Sequence, residues 1–139
     1  MGNRGVIATK NKDLAIYLHW NGGRDSVEGF LNYCKLKGYR APETDCYGWA
    51  RLCQVIGNFF GGGLSLGIET YATADTDNGD NGTYIIEGWK IVDREFHSGR
   101  EQKSYPLRNV LIEINNSQPK QEQVTIEDID RYLEEEGLG

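Results

Sequence analysis

No apolar run in this sequence approaches the ~20 residues that a helix needs to cross a bilayer. The opening MGNRGVIATKNKD also has no long apolar stretch of the signal-peptide kind. A spanning helix is therefore not expected, and a cytoplasmic location is. Cysteine is scarce and odd in number. Cys34, Cys46 and Cys53 have no CxxC spacing, which argues against a disulfide framework and against a zinc site. Cys46 and Cys53 would lie about 10.5 Å apart along one helix axis, beyond disulfide reach. Reduced, mostly buried thiols are expected, with no metal and no cofactor. Positive charge is short as well, with 15 Lys and Arg against 21 Asp and Glu. Residues 1–60 carry eight basic against five acidic side chains, and residues 61–139 carry seven against sixteen. Direct nucleic-acid binding needs a clustered basic surface that releases phosphate counterions, so it is not expected. The second half is an acidic half, suited to a basic protein surface or simply to solvent. There is no internal repeat and no low-complexity tract.

A hydrophobic content of 38%, with 3 Trp, 8 Tyr and 4 Phe in 139 residues, supplies one core and one domain. Residues 3–9 and 13–20 are β-rich runs separated by Lys10-Asn11-Lys12, which predicts an N-terminal hairpin. In the second run Leu14, Ile16, Leu18 and Trp20 share one face, and Ala15, Tyr17 and His19 the other. Asp25 as N-cap and Glu28 at N3 open a helix with Val27, Phe30, Leu31 and Cys34 at i, i+3, i+4, i+7, ended by Gly38. A second helix is expected from about Asp45 to Phe60, apolar nearly all round and therefore central, ending at Gly61–Gly63. Residues 64–71 and 83–92 read as a second hairpin across a loop that closes on Asn81-Gly82. Pro106 and the spacing of Leu107, Val110, Leu111 and Ile114 predict a third helix, with a strand as the alternative. Pro119 breaks it, and Thr125 with Asp128 opens a short acidic C-terminal helix. The expected fold is α+β: an antiparallel sheet of two hairpins packed on two to four helices. Residues 1–120 form the main body and 121–139 an acidic helical tail.

Three segments carry candidate chemistry. The turn from His19 to Ser26 joins a strand to a helix start, where free N–H groups and glycine-allowed close approach can receive an anion. Gly22, Gly23 and Arg24 would hold the charge, and His19, Trp20 or Tyr17 would stack on a base. The plainer reading is a tight turn whose donors Asp25 already occupies. Cys46 follows Asp45 at a helix start, where the dipole stabilises a thiolate; the plainer reading is a packed cysteine beside a cap. The run from Asp75 to Gly82, with Asp75, Asp77 and Asp80, has the oxygen-rich composition of a calcium loop but fails the EF-hand spacing. It reads better as a polar loop, since Asp, Asn and Gly are what turns require.

Asp45-Cys46-Tyr47-Gly48 resembles the Asp-Cys-Ser-Gly nucleophile segment of papain-like NlpC/P60 peptidases. That resemblance implies a cysteine hydrolase in which His97, the only histidine after Cys46, is the base. Tyr47 stands where that family has a small residue. The strand-to-helix segment Ile16-Tyr17-Leu18-His19-Trp20-Asn21-Gly22 resembles the HWDG-type signature of small phage- and prophage-encoded proteins, with Asn21 in place of the usual Asp. The Met1-Gly2-Asn3-Arg4 opening is similar too. This second resemblance covers about the first thirty residues. It implies a mobile-element product in a bacterial cytoplasm and assigns no catalytic residues.

The leading expectation is a non-enzymatic binding protein, an inhibitor of a host defence factor such as a CRISPR nuclease. It would meet a basic surface through Asp75, Asp77 and Asp80 or through Glu127, Asp128, Glu134 and Glu135. The alternatives are a nucleotide or small-anion binder at Gly22-Gly23-Arg24 and the Cys46/His97 hydrolase.

Overall fold

Five strands form one mixed sheet in the computed structural model, which describes residues 2–62 and 65–138. They are β1 (Gly5–Thr9), β2 (Leu14–Leu18), β3 (Leu66–Thr70), β4 (Thr83–Glu87) and β5 (Lys90–Glu95), in the order β3-β2-β1-β4-β5 across the sheet. Four helices, α1 (Arg24–Leu36), α2 (Cys46–Phe60), α3 (Leu107–Ser117) and α4 (Ile126–Glu135), complete an α+β domain. None of the described helices is long and apolar enough to cross a membrane.

The first hairpin forms as expected, with β1 antiparallel to β2 and Val6 opposite Tyr17. The second does not. β3 pairs antiparallel with β2, and β4 lies parallel to β1; Leu64, in the expected first strand of that hairpin, lies outside the described residues. The chain between β1 and β4 contains α1 and α2, and such long excursions are what permit a parallel neighbour. Residues 83–92, expected as one strand, instead turn back on themselves. Gly88 and Trp89 both take positive φ, 58° and 64°, the left-handed pair that two-residue hairpin turns use. Trp89 tolerates that conformation because its ring is buried and its Nε1 donates to the Tyr39 carbonyl at 2.8 Å.

Alternation divides the sheet residues between two layers. Ile7, Ile16, Leu18, Tyr84 and Ile86 point toward the helices and pack with Phe30, Leu52, Ile56, Leu111 and Ile114. On the opposite face Val6, Ala8, Ala15 and Ile85 pack with Tyr17, and segment 71–82 folds over them through Tyr71 and Ala74. Both faces of β1 are covered, and every one of its residues is buried.

The helix starts depart from expectation at one point. Gly23 is the N-cap of α1, and Asp25 sits inside the first turn, buried. The α2 start agrees: Asp45 accepts from the Tyr47 N–H at 2.8 Å, and Gly61, at φ 64°, closes the far end. However, α2 is not central. Only Gly48, Leu52, Val55 and Ile56 are buried on it, because it flanks the core at the β3 side. Thr125 and Asp128 form a reciprocal capping box on α4. Ile129 and Leu133 sink into the same core as the sheet, and burying side chains of that size stabilises by about 1.5–3 kcal/mol each. Residues 126–135 are therefore seated on the body. Of the thiols, Cys34 is buried, Cys53 half-buried and Cys46 exposed, so the expectation of mostly buried cysteines fails at the helix start.

Candidate functional site

The glycine-rich turn lies where the sequence placed it, between β2 and α1. His19 Nδ1 is 2.8 Å from the Tyr17 hydroxyl, and the half-exposed Trp20 stands edge-on to its ring at 5.6 Å. Gly22 packs on β1: its N–H donates to the Asn3 carbonyl at 2.8 Å, and its carbonyl accepts from the buried Tyr84 hydroxyl at 2.7 Å. A Cβ at Gly22 would come within 2.6 Å of Arg4 and Gly5 backbone, so only glycine fits there.

The helix start beyond it is already covered by the chain itself. A Cβ at Gly23 would meet Gln102 Oε1 at 2.4 Å. The Asp25 N–H donates to the Gln102 carbonyl at 2.9 Å, and the Asp25 carboxylate accepts from the Ser104 N–H at 3.0 Å and from the Ser26 N–H at 2.8 Å. Arg24 is held between two carboxylates, with Nε 2.7 Å from Glu28 and Nη1 2.8 Å from Glu101. Glu101 thus supplies the negative charge at the Arg24 guanidinium, while the Asp25 and Ser26 N–H groups are met by the Gln102 carbonyl and the Asp25 carboxylate.

Glu101 is also the hub of a larger polar cluster. Arg94 donates to its carboxylate and to the Asn81 carbonyl, and lies over the Tyr84 ring at 3.8 Å, a geometry that favours cation–π attraction. His97 Nε2 lies 3.4 Å from Glu101 Oε1, within ion-pair range but without a hydrogen bond. Burial of Glu101 opposes its ionisation, but the hydrogen bonds from Arg94 and Arg24 outweigh that, and its carboxyl titrates below its ordinary value. Burial pushes the Tyr84 hydroxyl upward. The expectation at His97 did not extend to Arg94 and Glu101; the Arg94-Glu95 and Arg100-Glu101 pairs on either side of it are the sequence signal for this cluster.

Cys46 and His97 occupy different surroundings. Cys46 is exposed at the α2 start, next to Asp45, whose carboxylate is 3.1 Å from Arg40, and Arg40 lies over the Tyr47 ring at 5.9 Å. No hydrogen bond or ion pair among the described residues joins Cys46 to His97.

The two acidic candidates fall on opposite sides of the sheet, because segment 71–82 covers one face and α4 packs with the helices on the other. In the loop, Arg4 is 2.9 Å from Asp80 and 3.9 Å from Asp75, while Asp77 is exposed. The loop is organised by the buried Asn78, which bonds the Asp75 and Gly82 carbonyls and the Asp80 and Gly82 N–H groups. On α4, Asp128 completes the capping box and pairs with Arg131 at 3.0 Å, and Asp130 pairs with Arg108 at 2.7 Å. Glu127, Glu134 and Glu135 are exposed and enter no ion pair among the described residues. Comparison with protein-family models, with curated proteins and with solved structures gave no match.

Proposed function

We propose that this protein is a non-enzymatic binding protein that docks a basic protein surface through the acidic side of α4. The observation that carries this reading is the division of carboxylates on that helix: Asp128 and Asp130 are paired, and Glu127, Glu134 and Glu135 are exposed and enter no ion pair among the described residues. Carboxylates near a helix C-terminus oppose the dipole, so a cation brought to Glu134 and Glu135 gains from both. The helix is rigidly presented, since Ile129 and Leu133 anchor it and the Tyr132 hydroxyl donates to Asn32 at 2.6 Å. The loop at Asp75 and Asp80 is the weaker contact, because Arg4 already pairs with both carboxylates. Resemblance to phage-encoded proteins makes a host defence nuclease in a bacterial cytoplasm the partner class, with inhibition as the outcome.

Charge reversal at Glu127, Glu134 and Glu135 to Lys tests this. Surface electrostatics of this kind set association rate and salt dependence. The α4 variant should lose salt-sensitive capture of its basic partner from bacterial lysate, with association slowed at least ~10-fold, at an unchanged melting temperature. Reversal of Asp75 and Asp77 should leave capture largely intact. Undiminished capture by the α4 variant refutes the reading.

A further inference from the structure

We propose that β3 is a dimerisation edge, along which a second copy of this chain adds antiparallel about a twofold axis at Ile68. The two ends of the sheet are protected unequally. β5 is broken in register opposite Ile85 and Ile86 and carries Lys90, Asp93, Arg94 and Glu95, the bulge and charges with which edge strands avoid pairing. β3 pairs in register with β2 along its whole length, has Glu69 as its one charge, and leaves Ile68 60% exposed beside an exposed Leu14.

Hydrogen-bond parity fixes which β3 groups are available. The Tyr71 N–H donates to the Asp13 carbonyl and the His19 N–H to the Ser65 carbonyl, each at 2.8 Å. Residues 65, 67, 69 and 71 therefore direct their backbone groups toward β2, and Leu66, Ile68 and Thr70 direct theirs outward. The Thr70 carbonyl is engaged by the Ala74 N–H at 3.1 Å; no described strand pairs along the outer edge.

A twofold axis at Ile68 brings outward residues together without any shift. Ile68 exchanges N–H and C=O with Ile68 of the second copy, and the Thr70 N–H meets the Leu66 carbonyl. Glu69 then faces Gly67 of the second copy, so the strand's charge meets no like charge, and the missing side chain leaves it room. The two Ile68 side chains become cross-strand neighbours, an apolar contact that an exposed isoleucine otherwise lacks. Five residues extend only ~17 Å, so the dimer is weak and dissociates on dilution.

The test is the mass of the full chain in solution by light scattering or sedimentation across a concentration series. The wild type should approach twice 15.7 kDa at high micromolar concentration and return to the monomer when diluted. Ile68→Glu and Ile68→Lys should each be monomeric, and mixing them should restore the dimer, because this register places position 68 opposite itself. Val92→Glu on β5 should dimerise as the wild type does. The proposal is overturned by a wild type that stays monomeric throughout, by dimers that survive either Ile68 variant, or by a mixture that stays monomeric.

Discussion

Glu101→Gln tests whether segment 97–104 is held to the body by charge. The substitution keeps the shape of the side chain and removes the charge that Arg24 and Arg94 share. Arg94, whose side chain is 13% exposed, would keep the Thr83 and Asn81 carbonyls and the Tyr84 ring, all without a countercharge. Breaking one partner of a fully buried pair costs about 3–5 kcal/mol. Glu101 and Arg24 are each about a quarter exposed, so water screens part of the loss, and about 2–3 kcal/mol is the expected destabilisation at neutral pH. For a chain of 139 residues that lowers the melting temperature by ~7–10 °C. The pH dependence has a definite sign. The folded-state Glu101 carboxyl titrates below its ordinary value, so its contribution is present above the usual carboxylate range near ~4.3 and is lost as pH falls through the folded value. Glutamine does not titrate, so the gap between wild type and variant should narrow in acid. Urea unfolding at pH 7 and at about pH 3.5 measures both. A variant within ~0.5 kcal/mol of wild type at pH 7, the ordinary range for surface substitutions, or a gap that does not shrink in acid, refutes the reasoning.

Two further outcomes follow from packing. Gly29 lies where α1 crosses α3, and a Cβ there would meet Val110 Cγ1 at 2.4 Å and Ile114 Cδ1 at 3.1 Å. Gly29→Ala gains about 1 kcal/mol of helix propensity but overpacks a branched pair at about 1–3 kcal/mol; a net fall in thermal stability is expected, and a rise would refute the crowding. Alkylation of the native protein should modify Cys46 first, and Cys34 only on unfolding, because burial both blocks the Cys34 thiol and pushes its pKa up. Equal rates at the two positions, read by peptide mass spectrometry, would contradict their placement.

The helices were legible because their signals are local. Asp45, Gly61, and Thr125 with Asp128 act within a turn of where they stand, and the spacing of Leu107, Val110, Leu111 and Ile114 needs no knowledge of the partner. Strand pairing was not legible in the same way. Nothing near Leu66 states that its neighbour is β2, and Asn81-Gly82, a strong turn dipeptide, ends a crossing over the back of the sheet instead of a hairpin. Gly82, at φ 62°, is still required, since a Cβ there would come 2.4 Å from the Glu95 carbonyl. The burial of Ala15 was equally hidden, because the layer that covers it is irregular chain with no periodicity to read.

The same distinction decides how the glycine-rich turn is understood. Its strand-to-helix geometry follows from residues 16–26, and so does the positive charge that Arg24 brings to it. What fills it does not, since Glu101, Gln102 and Ser104 come from the far side of β5. An anion offered from solution at Arg24 competes with a carboxylate tethered to the same body, and tethering gives Glu101 an effective concentration in the millimolar range or above. A free nucleotide would have to displace that carboxylate, the Gln102 carbonyl at the Asp25 N–H and the Ser104 N–H at the Asp25 carboxylate together. The turn therefore acts as an internal joint between the start of α1 and the segment after β5. That assignment removes Arg24 from the groups open to a partner, whereas Glu127, Glu134 and Glu135 on α4 are exposed and enter no ion pair among the described residues, and the proposed binding face rests on them.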